Sequence, residues 1–309
     1  MDWKNRRIDA LLEQALVEDK AASDATTNLT IDPNLRATAT VLARQELIVA
    51  GLGCIPRIFE IFTRLDQQAQ TRYEVISHPE IFDGVRARDG QSLAVIRHNA
   101  RALLSCERVL LNLMQHMSGI ATLTRRYADE LLGTKAHVLD TRKTVPGLRA
   151  LDKYAVLCGG GTNHRLDLSD GILIKNNHIS LGGGVQQTLT RALAGRKPGQ
   201  RVQIEVRNTR ELEDALQYGA EAILLDNMTP DQVKVAVDRI KQAEATRETA
   251  APTPGGTKTP WIPIEASGGI VLENIRAYAL AGVDFISVGA LTHSAKAADI
   301  SMRITAESR

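Results

Sequence analysis

Charged side chains follow several short apolar runs in the second half of the chain, and their types suit a substrate with several anionic groups. Arg142 and Lys143 come just after the run HVLD, and Lys175 ends GILIK. Glu205 lies in VQIEV, and Asp226 ends AILLD. Arginine donates two parallel hydrogen bonds to a carboxylate, whereas lysine offers a point charge to carboxylate or phosphate. Carboxylates accept hydrogen bonds from sugar hydroxyls or hold Mg²⁺, so the set predicts an anion site beside a hydroxyl- or metal-binding site.

Two further groups extend this set. His164 and Arg165 add cationic character, and glycines follow the last two apolar runs in EASGGI and SVGAL. We expect a helix to begin near Leu272 and a second helical start toward His293, where backbone amides can bind a phosphate. A glycine pair also serves an ordinary turn, so only its place after the last two runs favours phosphate binding. An internal network of salt bridges is the alternative interpretation of the charged residues.

Elements that could position these side chains are visible in the same half of the chain. The runs HVLD, GILIK, VQIEV, AILLDN, PIEASGG and DFISVGA alternate with helical segments, which is typical of a parallel sheet wrapped by helices. Because catalytic groups of such barrels lie where strands end, the polar run ends should meet at one edge. Six runs indicate an α/β barrel of the triosephosphate isomerase type, and because eight strands are not visible, the number of strands and the completeness of the barrel stay open.

The helical segments between these runs have apolar faces suited to packing. ELEDALQYGA places Leu212, Ala215 and Leu216 on one face. TPDQVKVAVDRI offers Thr229 as N-cap and Pro230 at the first helical position, followed by an apolar stripe. Residues 244–260 are rich in Thr, Pro, Gly and Ala, so we predict a surface loop without assigned function.

The first half predicts a small α/β domain. Residues 6–18 have the apolar spacing of an amphipathic helix, and a second helix is expected near 55–65. Strands are expected in TATVLARQELIVAG, RYEVISH and SLAVIRHNARALL. The segment SCERVLLNLMQHMSGIATLTRRYADELLG then predicts a helix leading into the second domain, with Gly119 as its first internal helix breaker.

Composition limits the classes of function. The chain has 309 residues, 43% hydrophobic and 24% charged, as expected for a globular protein with two domains. Its net charge of +2 gives no overall field that would attract nucleic acid or a membrane surface. The N-terminal residues contain charges throughout and no apolar core of a signal peptide, which predicts a cytoplasmic protein. Cys54, Cys106 and Cys158 are widely spaced and predict buried thiols rather than disulfides or a zinc site.

Six ordered motifs resemble the quinolinate phosphoribosyltransferase family: DTRKTVPGLR, KYAVLCGGGTNHRLDLSDGILIKNNHI, EVRN, LLDNM, EASGGI and GVDFISVGALTHSAKAADISM. SDATTNLT and ERVLLNLMQHMSGIAT extend the resemblance toward the N-terminus. It implies an N-terminal α/β sandwich over residues 1–116, joined by the C-terminal segment 293–309. Residues 117–292 would form an incomplete α/β barrel, and the protein would be a homodimer with shared active sites or a higher oligomer. The long 244–260 loop is the clearest departure from the family pattern.

The resemblance also implies the reaction and the residues for each substrate. The reaction is phosphoribosyl transfer from phosphoribosyl diphosphate to quinolinate with decarboxylation, giving nicotinate mononucleotide, and Mg²⁺ is the implied cofactor. The implied quinolinate residues are Arg142, His164, Arg165, Lys175 and, from the neighbouring chain, Arg108. The implied phosphoribosyl diphosphate residues are Lys143, Glu205, Asp226, Ser267, Gly268, Gly269, Gly289 and His293, with Thr141, Val288 and Ala290 beside them. The catalytic group would be Lys143, Lys175, Glu205 and Asp226, of which Glu205 and Asp226 would approach the metal directly or through the diphosphate.

Three alternatives remain open on the sequence. A nicotinate phosphoribosyltransferase would bind one carboxylate, which the number of cationic side chains disfavours. A non-catalytic sensor of phosphoribosyl metabolites would bind without turnover, and release of diphosphate would exclude it. A different barrel enzyme could use Lys175 as a Schiff-base amine, which borohydride trapping with a carbonyl substrate would reveal.

Overall fold

The computed structural model describes residues 1–66, 71–249 and 261–307. The helices within these residues are Arg6–Glu18 (α1), Ala25–Thr30 (α2), Cys54–Leu65 (α3), Ala100–Glu130 (α4), Arg149–Cys158 (α5), Asn176–Gly182 (α6), Val185–Gly195 (α7), Thr209–Gln217 (α8), Pro230–Thr249 (α9), Ile275–Leu280 (α10) and Ala290–His293 (α11). The strands are Arg36–Ala43 (β1), Leu47–Ile48 (β2), Glu74–Ile76 (β3), Arg86–Ala87 (β4), Ser92–Asn99 (β5), His137–Leu139 (β6), Ile172–Ile174 (β7), Val202–Val206 (β8), Ala222–Asp226 (β9), Ile264–Ser267 (β10), Phe285–Ser287 (β11) and Ile300–Ala306 (β12).

The chain divides into two compact units, each built from more than one segment. The first unit contains Met1–Arg125, Lys143–Gly161 and Leu291–Arg309, and the second contains Arg126–Arg142 and Thr162–Ala290. The predicted polar strand ends therefore fall mostly in the second unit. All three cysteines are free and buried, as predicted. No helix among the described residues is long and apolar enough to cross a membrane.

The first unit is built on an antiparallel sheet with the strand order β12-β1-β5-β3. Alternate residues of β1 are buried, as expected when one sheet face covers a core. α1 packs against α3 and confirms the predicted helix at 6–18. It begins at Arg6 because the side chain of Asn5 accepts a hydrogen bond from the Arg7 backbone N–H at 2.9 Å.

One strand prediction in the first unit was wrong. SLAVIRHNARALL was expected to be extended throughout, but β5 ends at Asn99 and α4 begins at Ala100. Asn99 explains the change, because its side-chain oxygen accepts a hydrogen bond from the Arg101 backbone N–H at 2.9 Å. Asparagine at such a position satisfies an amide of the first helical turn. Residues 100–104 therefore extend the predicted long helix at its N-terminal end.

Gly119 does not break α4, although the sequence marked it as the first residue that could. A Cβ at this position would lie 2.1 Å from the backbone oxygen of Lys296. A glycine is therefore needed here so that the backbone at Lys296 can lie close to α4 within the first unit. The helix continues through Gly119 in spite of the low helical propensity of glycine.

The second unit contains six parallel strands in the order β6-β11-β10-β9-β8-β7. All six strands predicted from the apolar runs are present, and the α/β fold class is confirmed. From β7 to β11 each strand pairs with the next one along the chain, and β6 pairs with β11. Among the described residues β6 and β7 do not pair as strands, so the sheet is open between them. Six strands are fewer than the eight of a complete barrel, which agrees with the expectation of an incomplete one.

The predicted packing helices between the strands are confirmed. Leu212, Ala215 and Leu216 of α8 are buried. α9 begins at Pro230, and Thr229 and Gln232 bond reciprocally through their side chains and backbone amides at 2.9 and 3.3 Å. The apolar stripe of α9 is buried through Val233, Ala236, Val237 and Ile240.

Two boundaries differ from the sequence prediction. The loop expected at 244–260 does not begin at 244, because α9 continues to Thr249; residues 250–260 lie outside the described part of the chain. The helix expected from Leu272 begins instead at Ile275. The side chain of Asn274 accepts a hydrogen bond from the Val271 backbone N–H at 2.9 Å and closes a turn before that helix.

Candidate active site

The parallel sheet brings the carboxyl ends of its strands to one edge, where the predicted acidic residues lie. Ser267 of β10 is in register with Asp226 of β9 and with Ser287 of β11. Glu205 of β8 is in register with Leu224 of β9. We call one set of charged residues that end or follow these strands in the second unit the rim; it consists of Arg142, His164, Arg165, Lys175, Glu205 and Asp226.

Glu205 is a buried carboxylate at the rim with little local compensation. It is 8% exposed, and its Oε2 lies 4.0 Å from the Nζ of Lys175, whose side chain is half exposed. Burial and, second, the charge of Asp226 raise the pKa of Glu205 above its usual value, and Lys175, a hydrogen bond from the Asn176 backbone and Arg207 only partly oppose them. Two interacting carboxylates beside a half-exposed ammonium favour a ligand that brings hydroxyl donors or positive charge.

The cationic side of the rim contains two arginines whose charges repel one another. Burial lowers the pKa of Arg165, and the nearby Arg142 lowers it further, against the attraction of Asp170. The Nε of Arg142 is buried and has no hydrogen-bond partner among the described residues. Buried donors are normally satisfied, so an unpartnered Nε beside a second arginine is suited to an anionic ligand.

Contacts of both its backbone and its ring hold His164 within the second unit. Its backbone N–H donates to Oδ1 of the buried Asp140 at 2.8 Å. Its Nδ1 accepts from the Arg165 backbone N–H at 2.7 Å, which places the ring hydrogen on Nε2. Nε2 lies 3.4 Å from Oε2 of Glu265. The backbone at His164 and Arg165 is therefore fixed from both β6 and β10.

Glu265 was not predicted as a site residue, although it lies at the centre of this arrangement. It accepts hydrogen bonds from Nε2 of Gln203 at 2.7 Å and from Oγ of Ser287. Burial alone would raise the pKa of Glu265, but its hydrogen bonds with His164, Ser287 and Gln203 hold the pKa below its usual value. The available signal was a glutamate inside an otherwise apolar strand, because a buried charge needs partners.

The loops after β9 and β10 are joined closely. The Asn227 backbone N–H donates to the Ser267 backbone oxygen at 2.9 Å, and Asn227 Nδ2 donates to Asp226 Oδ2 at 2.9 Å. Gly268 has a φ of +94°, and a Cβ there would lie 2.2 Å from Asn227 Oδ1. Glycine is therefore required for this loop, while its role in phosphate binding stays a prediction.

The remaining predicted residues have different placements. Thr141, Gly269, Gly289 and Ala290 lie in loops or at the first position of α11 in the second unit, and Val288 is buried with its N–H bonded to the Leu139 oxygen at 3.0 Å. Lys143, Arg108 and His293 belong to the first unit. Arg108 is exposed on α4, and the Lys143 backbone oxygen accepts from Thr292 Oγ1 at 2.8 Å.

Two carboxylates at the rim would suit a magnesium ion held mainly by substrate phosphates. No group of three or more His, Cys, Asp or Glu side chains among the described residues is arranged to hold a metal. Glu205 and Asp226 are nevertheless close enough for their charges to interact. Mg²⁺ commonly takes one or two carboxylates together with water and substrate phosphates, so this pair suits it without a cage of protein ligands.

Two family models match the chain. The quinolinate phosphoribosyl transferase N-terminal domain matches residues 24–118, and the C-terminal domain of the same family matches residues 120–303. The nicotinate-nucleotide pyrophosphorylase [carboxylating] of Mycobacterium leprae is 41% identical over 292 residues, covering 94% of this chain and 95% of that protein. The probable enzyme of the same name from Bacillus subtilis is 39% identical, with 97% and 94% covered. The crystal structure of NadC from Streptococcus pyogenes is 35% identical, with 100% of each chain covered and a TM-score of 0.86.

Proposed function

The chain belongs to the quinolinate phosphoribosyltransferase family, and we propose that the rim is where it carries out that family's reaction. The reaction transfers a phosphoribosyl group from phosphoribosyl diphosphate to quinolinate. Loss of CO₂ then gives nicotinate mononucleotide, a precursor of NAD. The observation that carries the assignment to the rim is its mixture of charges: the Nε of Arg142 is buried without a partner among the described residues beside Arg165, and Glu205 interacts with Asp226 at the end of the neighbouring strand.

We assign quinolinate to the cationic side. Its two carboxylates would accept from the guanidinium groups of Arg142 and Arg165 and from Lys175, with His164 beside them. Guanidinium groups bind planar carboxylates through two parallel hydrogen bonds. The unsatisfied Nε of Arg142 is a donor available for this purpose. A dicarboxylate would also relieve the repulsion that lowers the pKa of Arg165.

We assign the ribose of phosphoribosyl diphosphate to the acidic side. The ring nitrogen of quinolinate attacks C1 of the ribose as diphosphate leaves, and positive charge develops on the sugar. Glu205 and Asp226 would accept from the ribose hydroxyls and face that developing charge. When bound, Mg²⁺ would neutralise the diphosphate, with Glu205 and Asp226 as its protein neighbours. Lys143, Ser267, the glycine loops and His293 remain the predicted contacts for the phosphates.

Decarboxylation needs little proton transfer from the protein. Once the ring nitrogen is bonded to ribose it is quaternary and positively charged. The bond to the adjacent carboxylate then breaks, CO₂ leaves, and the electron pair remains on the ring carbon, which takes up a proton. The ring nitrogen stabilises that electron pair, so the side chains of the rim chiefly hold the substrate in place.

The proposed reaction is tested directly by its products. The protein is incubated with quinolinate, phosphoribosyl diphosphate and Mg²⁺, and CO₂ and nicotinate mononucleotide are measured. We expect equal amounts of both, with release of diphosphate. A Glu205→Ala variant serves as the control for contaminating activity. Formation of neither product by the wild-type protein would show that the proposal is wrong.

We further propose a homodimer in which Arg108 serves the neighbouring subunit's site. The exposure of Arg108 on α4 supports a contact beyond its own chain. If Arg108→Ala and Glu205→Ala chains are refolded together in equal amounts, about half of the dimers should be mixed. Each mixed dimer then has one site with both lesions and one with neither, so about a quarter of all sites should regain activity. If Arg108 serves its own chain, every site keeps a lesion and mixing restores nothing.

The location and other partners of the protein rest on the sequence alone. A cytoplasmic location, the lack of a nucleic-acid partner and assembly beyond a dimer stay predictions.

A further inference from the structure

A buried carboxylate at the same level of the sheet as Glu205 has no role in the reaction as described above. Glu265 of β10 is 3% exposed and is in register with Leu224 of the neighbouring β9. An ionised side chain at such a depth is costly unless several donors satisfy it. Glu265 has three polar neighbours, from three different segments: Gln203 of β8, Ser287 of β11 and His164. These partners offset the cost of burying the ionised carboxylate. One of them, His164, belongs to the rim and links Glu265 to the substrate site.

The arrangement at His164 shows that dependence. Because Nδ1 of His164 accepts the Arg165 backbone N–H at 2.7 Å, the ring hydrogen must lie on Nε2. Nε2 faces Glu265 Oε2 at 3.4 Å, and a carboxylate can only accept from it. The carboxylate therefore selects the ring tautomer that allows the contact to the Arg165 backbone. A partner that fixes one nitrogen of a histidine determines what the other nitrogen can do.

We propose that Glu265 is a positioning residue for the acceptor side of the site: through the imidazole of His164 it fixes the backbone at Arg165 and so aims that guanidinium at quinolinate. The inference rests on the proposed function, since it concerns the same substrate. Arg165 is the side chain that needs such support, because it lies beside the like charge of Arg142. Two repelling guanidinium groups would otherwise move apart and lose the spacing that a dicarboxylate requires.

The first test is Glu265→Gln, which keeps the shape of the side chain. The amide has one oxygen for its three neighbours, and its NH₂ group would face a donor. We expect the KM for quinolinate to rise about tenfold or more, by analogy with the loss caused by removing a partner that orients a metal-binding histidine. The KM for phosphoribosyl diphosphate should stay close to that of the wild-type protein. Glu265→Asp should restore part of the loss, because it returns a carboxylate.

Ser287→Ala is the matched control. Ser287 donates to Oε1 of Glu265, the oxygen that does not face His164. A purely structural role for the cluster would make this variant behave like Glu265→Gln. The positioning role predicts that Ser287→Ala lowers stability but leaves the KM for quinolinate close to wild type. Equal rises in that KM for the two variants, or none for Glu265→Gln, would overturn the proposal.

A second measurement does not depend on the folding of any Glu265 variant. In ¹⁵N-histidine spectra of the wild-type protein, His164 is assigned among the seven histidines by the signal lost in His164→Gln. We expect the Nε2–H tautomer, and a hydrogen on Nδ1 would overturn the proposal. If the wild-type protein makes no nicotinate mononucleotide, the proposed function fails. If the wild-type protein is active but the KM or tautomer result is negative, only the role of Glu265 fails.

Discussion

Two glutamates on strands that flank β9 lie at the same level of the parallel sheet but in opposite electrostatic surroundings. Glu205 and Glu265 are both in register with Leu224, and they are 8% and 3% exposed. The pKa of Glu205 is raised, whereas that of Glu265 is lowered. Burial is the largest influence on both and raises the pKa in each case, so their partners decide the direction. Glu265 is surrounded by donors, while Glu205 has the charge of Asp226 nearby.

The arginines of the second unit show the same contrast. Arg196 donates to Glu221 at 2.9 Å, and Arg239 is bonded to Glu213 through two nitrogens at 2.6 and 2.7 Å. Arg142 instead has a buried, unsatisfied Nε. Arg196 and Arg239 are therefore paired within the protein, whereas Arg142 at the rim keeps one donor nitrogen without a partner among the described residues. Substrate groups of the opposite sign would complete these interactions.

The largest expected consequence concerns the choice of acceptor. If Arg142 and Arg165 bind both carboxylates of quinolinate, nicotinate leaves at least one arginine donor unpaired. Sites that require such pairing reject the analogue that lacks the group by up to ~10⁴ to 10⁵ in kcat/KM. The measurement is kcat/KM for each acid at saturating phosphoribosyl diphosphate. Comparable kcat/KM values for the two acids would show that the arginines do not bind the second carboxylate of quinolinate.

Removal of one uncompensated arginine should have the next largest effect. Arg142→Ala should lose about 2 to 5 kcal/mol of quinolinate binding, the range for a desolvated charged contact. Its effect on the KM for quinolinate should far exceed that for phosphoribosyl diphosphate. Arg196→Ala is the control, since that arginine is already paired with Glu221. Equal effects of Arg142→Ala on both substrates would mean that Arg142 is assigned to the wrong one.

The sequence predicted the sheet well because buried parallel strands are continuous apolar runs. All six runs contain strands, and the parallel arrangement places the polar residues that follow them at one edge of the sheet. Boundaries were harder where a side chain caps the backbone. Asn99 starts a helix within a segment predicted to be extended, and Asn274 delays α10 to Ile275. These bonds depend on local backbone geometry, which apolar periodicity does not describe.

The candidate site was predictable as far as residue type and strand end could show it. Arg142, Lys175, Glu205 and Asp226 were identified in this way, but Glu265 was not. Its importance depends on Gln203, Ser287 and His164, which are far apart in sequence and come together only through strand order and register. A single sequence marks such a residue only as a charge within an apolar strand.

The two glutamates should also differ in their effect on stability. Glu265→Gln leaves buried donors without acceptors and should lower the free energy of unfolding by about 1 to 3 kcal/mol. Because the folded-state pKa of Glu265 is depressed, its contribution is present above the ordinary glutamate pKa and is lost as pH falls through the folded value. Glu205 has a raised pKa, so its ionisation opposes folding above that pKa, and Glu205→Gln should slightly stabilise the free protein at neutral pH. Urea unfolding at several pH values measures both, and destabilisation by Glu205→Gln would contradict the contrast.

The smallest expected effect is a shift in the pH dependence of the reaction. If Glu205 acts as a carboxylate, kcat/KM for phosphoribosyl diphosphate should fall as pH drops through its raised pKa. Burial is the larger cause of that raised pKa, and the charge of Asp226 is the second. Asp226→Asn removes only the second cause, so the acid limb should move to lower pH by roughly a unit or less. The position of the limb is the measure, because the variant also lowers the rate through the lost ribose contact. Asp238→Asn on the exposed face of α9 is the control and should leave the limb in place. An acid limb that moves to higher pH in Asp226→Asn would contradict the prediction, as would an equal movement in both variants. Either result would show that the charge of Asp226 does not raise the pKa of Glu205.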